Sequence, residues 1–192
     1  MAQQPPSALQ GRRAIELGAG LALPSIVAAW RGAAVRAIDA SARAVRLARK
    51  AASANLPPEA RRRFRAQVAD LRDAANASAG ASYDLVLVSG QLYAGAGTAE
   101  QLPRRLLGLC APGCRAMLTY WGHSGLPVRL WPLGFPLGDR FLEDMRQLGF
   151  LLTDFSLCSR RGHVHPLSGY ACVEFELLPP ALRPEPPPWD GT

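Results

Sequence analysis

Short apolar blocks alternate along the chain with helical repeats, and each block ends in small or acidic residues. Ala14-Ile-Glu-Leu17 runs into Gly18-Ala19-Gly20, the punctuation of a strand that turns tightly. In residues 21–30, Leu23, Ile26, Val27 and Trp30 fall at helical spacing, and Pro24 suits a first helical turn. Residues 34–38 predict a second strand, ending at Asp39. Residues 41–55 predict a helix capped by Ser41, with Val45, Leu47, Ala48 and Ala51 turned inward, and Pro57-Pro58 stop it. Residues 64–68 predict a third strand, ending near Asp70. Tyr83-Asp-Leu-Val-Leu-Val88 is the plainest strand, apolar enough to be buried on both faces.

The second half keeps the rhythm. A helix over 98–109 carries Pro103, Ala111-Pro112-Gly113 reads as a turn, and 114–120 reads as a fifth strand. A Gly/Pro-rich stretch over 121–138 has the length of a lid or binding loop. A capped amphipathic helix over 139–148 ends at Gly149, and strands over 151–157 and 170–178 make a terminal hairpin. The pattern predicts an α/β fold: a Rossmann-like, doubly wound seven-stranded sheet, mostly parallel with a C-terminal antiparallel hairpin. The expected boundaries are an N-terminal tail over 1–10, one domain over 11–178 and a proline-rich tail over 179–192.

Composition changes this picture little. Of 192 residues, 48% are apolar and 19% charged, enough for one packed core. No apolar run reaches the ~18–20 residues of a membrane span. The first residues lack a secretory pattern, so the expectation is an intracellular, membrane-free protein, cytoplasmic or in an organelle. Cys110, Cys114, Cys158 and Cys172 show neither a disulfide framework nor a metal-binding spacing.

Charge changes it more. Arg43, Arg46, Arg49, Lys50, Arg61, Arg62, Arg63 and Arg65 face one acid, Glu59, within 43–65. Elsewhere 14 basic and 14 acidic residues balance, so the net +7 is a local patch. Such a segment is either a solvated helix face or a surface for an anionic partner such as RNA.

In an open sheet of this kind, ligands bind beyond the carboxyl ends of the strands. Those ends carry Glu16, Gly18-Ala19-Gly20, Asp39, Asp70-Leu71 and Ser89-Gly-Gln91-Leu-Tyr93. Glycines let backbone approach a ligand, and a carboxylate 19 residues past Gly20 can accept both hydroxyls of a ribose. The third glycine of a dinucleotide fingerprint is replaced by Leu23, which disfavours a pyrophosphate and favours an adenosine ligand with an amino-acid end.

Through these residues the chain resembles the class I S-adenosylmethionine-dependent methyltransferases, and more narrowly the non-SET protein-lysine methyltransferase-like group (methyltransferase family 16). Ala14-Ile-Glu-Leu-Gly-Ala-Gly-Leu-Ala-Leu-Pro-Ser-Ile-Val-Ala-Ala29 is similar to that group's first motif. The resemblance implies an S-adenosylmethionine site lined by Glu16, Gly18, Ala19, Gly20, Asp39, Asp70, Leu71 and Ser89. In it, Asp39 would hold the ribose and Asp70 would lie near the adenine amino group.

The resemblance departs at two places. The group's acid-x-x-Tyr motif after strand four is Gly90-Gln91-Leu92-Tyr93 here, leaving Tyr93 and Gln91 as the residues to contact a methyl acceptor. The group's N-terminal segment, with a tryptophan over the cofactor, has no counterpart. Three readings stay open: a methyltransferase acting on a protein lysine or other protein nitrogen, one acting on RNA or a small molecule, and a catalytically silent subunit of a larger, ribonucleoprotein-type assembly.

Overall fold

The computed structural model describes residues 7–70, 82–89, 96–121, 138–159 and 169–184. In chain order the elements are β1 (Arg13–Leu17), α1 (Leu23–Trp30), β2 (Ala34–Asp39), α2 (Ala42–Asn55), α3 (Pro58–Arg62), β3 (Phe64–Val68), β4 (Tyr83–Ser89), α4 (Ala96–Leu109), β5 (Cys110–Trp121), α5 (Gly138–Gln147), β6 (Phe150–Ser159) and β7 (Gly169–Leu177). The sheet runs in the order β3-β2-β1-β4-β5-β7-β6. β1 pairs parallel with β2 and β4, β2 with β3, and β4 with β5. β7 runs antiparallel to both β5 and β6, so the predicted mostly parallel sheet with a terminal hairpin is what forms.

Strand alternation divides the core in two. Ile15, Leu17, Ile38, Val86 and Val88 pack on one face with Leu102, Leu106 and Leu109 of α4 and Phe141 and Met145 of α5. On the other face Ala14, Val35, Ala37, Leu85 and Leu87 meet Ile26, Ala28 and Ala29 of α1 and Val45, Ala48 and Ala52 of α2. Among the described residues, no helix is long and apolar enough to cross a membrane.

Four local expectations change. Leu47 is 40% exposed, and Ala52 takes its place inside, because Val45, Ala48 and Ala52 follow the i, i+3, i+7 stripe. Pro57-Pro58 stops α2 but also starts α3, since proline's missing N–H has no helical partner in a first turn. Ala111-Pro112-Gly113 is absorbed within β5 as an irregularity: pairing passes from Tyr83↔Cys110 to Leu85↔Arg115, with Gly113 at φ +75°. The tail begins with a 3-10 turn at Pro180–Leu182, and Arg183 Nε donates to the Leu178 carbonyl at 2.8 Å. Most of the expected loop, residues 122–137, lies outside the described residues.

Candidate functional site

β1, β2, β3 and β4 present their carboxyl ends along one edge of the sheet, and the loop after β1 closes over it. Gly18, Gly20 and Ala22 lie in the left-handed region at φ 62°, 54° and 56°. The first two are residues that tolerate this conformation, whereas Ala22 adopts it with a Cβ. A Cβ built on Gly20 would meet nothing within 4 Å, so space beside this loop is open.

Asp39 holds the loop in place. Its Oδ2 accepts the Gly20 N–H at 2.8 Å, and its Oδ1 accepts the Ser41 N–H at 2.8 Å. Its own carbonyl accepts the Ala69 N–H at 3.1 Å, and the neighbouring Ile38 carbonyl accepts the Ala19 N–H at 2.9 Å. One aspartate therefore joins the glycine loop, the start of α2 and the end of β3, which carries Asp70 next along the chain. A carboxylate has about four acceptor positions, so Asp39 keeps capacity on both oxygens for two hydroxyl donors. Ser41 caps α2, its hydroxyl accepting from the Ala44 N–H.

Glu16 lies beneath the loop and is fully buried. Its Oε2 accepts the Ser25 N–H at 3.0 Å, satisfying a donor of α1's first turn, while Oε1 and the Ser25 hydroxyl have no hydrogen-bond partner among the described residues. Burial raises the carboxyl's pKa from 4.5 to about 7; Ser25 opposes the rise and the nearby charge of Asp39 adds to it. The structure thus places Glu16 in the interior against α1, below Gly18, Ala19 and Gly20, which are half-buried at the edge. Asp39, Asp70 and Ser89 are half-buried on the same edge, with Ser89 one step beyond the Leu17↔Val88 pair. Leu71, Gln91 and Tyr93 lie outside the described residues. Among the described residues, no cluster of His, Cys, Asp or Glu could hold a metal ion.

Sequence reasoning missed Ser25 and Ala22. Ala22 had a visible signal: it stands two residues past Gly20, as Gly20 stands two past Gly18. Ser25 had none, because its contact with Glu16 exists only once α1 has docked.

No protein-family model and no curated protein sequence matches the chain. Solved structures do. One is a Streptococcus mutans protein described as a SAM-dependent methyltransferase, at 15% identity and TM-score 0.70, covering 88% of this chain and 46% of that one. The present chain therefore spans less than half of that neighbour. Another is magnesium protoporphyrin IX methyltransferase (ChlM) from Synechocystis with bound SAH, at 19% identity and TM-score 0.65, covering 88% of this chain and 75% of that one. A third is a Listeria monocytogenes protein described as an S-adenosylmethionine-dependent methyltransferase, at 14% identity and TM-score 0.68, covering 93% and 95%. At such identities the likeness speaks for the fold alone: this chain has the Rossmann-like fold of the S-adenosylmethionine-dependent methyltransferases.

Proposed function

We propose that the chain binds S-adenosylmethionine at the carboxyl edge of β1 to β4 and transfers its methyl group to a nitrogen of a protein, a lysine in the first instance. The observation that carries the cofactor reading is Asp39. Two backbone N–H groups fix its carboxylate beside an open glycine loop, with acceptor positions left for ribose hydroxyls. The residues present fit this group. The loop over Gly18, Ala19 and Gly20 would receive its amino-acid end, Asp39 its ribose, and Asp70, Leu71 and Ser89 its base and surroundings. Solved neighbours of the same fold hold SAH or SAM, which supports the choice of ligand.

The cofactor would supply an electrophilic methyl group on a sulfonium. The chain's task is then to exclude water and aim the acceptor's lone pair along the breaking bond. The acceptor class rests on the resemblance of 14–29 to the lysine methyltransferase-like motif. The acid-x-x-Tyr motif after β4 keeps Tyr93 and lacks its acid, so Tyr93, with Gln91 two residues before it in sequence, would hydrogen-bond the incoming amine. A nucleic-acid nitrogen is the second reading, favoured by the basic segment that begins directly after Asp39 and the Ser41 cap.

Calorimetric titration with S-adenosylmethionine and S-adenosylhomocysteine tests the cofactor reading. Micromolar binding lost in a folded Asp39→Ala variant is the expected result. A folded wild-type chain that binds neither compound overturns it and leaves the silent-subunit reading. Labelled methyl donor then tests the acceptor: label in protein supports the lysine reading, and label in RNA alone replaces it with the second.

A further inference from the structure

We infer that the surface formed by the outer face of α2 and by α3 is a docking surface for the phosphate backbone of RNA. Arg43, Arg46, Arg49, Lys50, Arg61 and Arg62 are all exposed there. Arg43, Arg46 and Lys50 stand at i, i+3 and i+7, on the side of α2 away from the buried Val45, Ala48 and Ala52. Their Cα atoms rise by about 4.5 and 6 Å along the helix axis. That makes a short line of cations, suited to successive charges on one strand.

Two independent features mark this charge as uncompensated by the protein. First, several exposed arginines elsewhere are paired: Arg12 with Asp84, Arg115 with Glu174 and Arg146 with Glu143. Arg43, Arg46, Lys50 and Arg62 have no ion pair or hydrogen-bond partner among the described residues. Second, Arg43 is the second residue of α2, whose first turn holds no acid, so a cation sits where the helix dipole favours an anion. Local rules broken together on one surface mark a site built for something outside the chain.

Two further arginines are held in position by backbone. Arg49 donates from Nε and Nη2 to the Ala66 carbonyl at 3.1 and 2.7 Å, and Arg61 donates from Nη2 to the Leu56 carbonyl at 3.1 Å. Their charge is thereby fixed beside the stripe with little side-chain freedom left to lose on binding. A repeated, strongly anionic strand is the occupant that meets a line of cations. An anionic membrane would require an apolar wedge along the same face, and Leu47 is the single large apolar residue on the exposed side of α2.

The inference stands apart from methyl transfer and is tested without cofactor. Fluorescence anisotropy would follow a labelled 20-nucleotide single-stranded RNA binding to the full chain at several salt concentrations. A triple variant, Arg43→Gln, Arg46→Gln and Lys50→Gln, is compared with Arg12→Gln, Arg115→Gln and Arg146→Gln, which removes the same charge elsewhere. Circular dichroism checks that both are folded. The expected result is at least tenfold weaker binding in the first triple only. The slope of log K against log salt should also shrink by about 2, at ~0.7 for each phosphate no longer neutralised. Equal weakening in both triples, no binding by wild type at low salt, or tighter binding to polyglutamate or phosphatidylserine vesicles than to RNA would each overturn it.

Discussion

Glu16 and Ala22 stand on either side of the glycine loop in the sequence, and each works against an ordinary preference of its type. A buried glutamate with one unpartnered oxygen is destabilised when charged, and its pKa near 7 records that. Because the folded pKa lies above the ordinary 4.5, the folded state holds this proton more tightly. Glu16 is therefore least costly below pH 4.5, and stability falls as pH rises from 4.5 through about 7. The span corresponds to about 3 kcal/mol. We expect Glu16→Gln, which still offers Ser25 an acceptor, to flatten this fall. Urea unfolding at pH 5 and pH 8 should show a larger difference in wild type than in the variant; equal differences would refute the assignment. Ala22 is buried yet left-handed. Ala22→Gly relieves about 1 kcal/mol of backbone strain and loses a methyl worth about 0.8 kcal/mol, so it should be nearly neutral. Ala22→Val should instead destabilise by more than about 2 kcal/mol in the same assay.

The elements were legible where a run of apolar residues ended in a residue with one evident structural use. β1 ends at Leu17, before Gly18, β2 at Asp39 and β3 at Val68, two residues before Asp70, and their spans match expectation within a residue. α3 was not legible, because five residues with two adjacent arginines and a leading proline carry no helical period. Pro112-Gly113 reads as a turn in any sequence, and only pairing with β4 reveals that the strand passes through it. The site divides the same way. Gly18, Gly20 and Asp39 could be found from spacing, since the contact between them joins the ends of adjacent strands. The Glu16–Ser25 contact depends on how α1 settles on the sheet, which no spacing encodes. A similar tertiary constraint acts after α5. Gly149 has φ +86°, and a Cβ there would lie 2.6 Å from Arg183 Cγ. Gly149→Ala should lower stability by about 1–2 kcal/mol through backbone strain and this clash. Adding Arg183→Ala should recover only the steric part, giving a nonzero coupling in a double-mutant cycle of unfolding free energies.

At the scale of the molecule, charge is segregated in a way that packing does not require. The segment 43–65 carries the whole net charge of +7, while the remaining basic and acidic residues balance. Arg43, Arg46, Lys50 and Arg62 lie on the outer side of α2 and α3, away from both hydrophobic cores. Nothing about burying Val45, Ala48 and Ala52 calls for arginine rather than glutamate on the opposite side of that helix. Like charges held together repel, and the compact state suffers more than the expanded chain, so this surface should lower stability at low ionic strength. Added salt screens the repulsion with a Debye length of ~10 Å at 0.1 M. We therefore expect the melting temperature of the wild-type chain to rise between 20 and 300 mM sodium chloride, roughly the range in which that screening develops. Replacing Arg43, Arg46 and Lys50 by glutamine should raise stability at low salt by about 0.5–1 kcal/mol and weaken the salt dependence. The matched replacement of Arg12, Arg115 and Arg146 breaks ion pairs and should do neither. A low-salt stability that drops in the first triple would mean the cations are compensated within the chain, and an external anionic partner would have no charge left to meet. A rise would show that the chain retains a surface that destabilises it, which is the expected mark of a binding face rather than a solvated one.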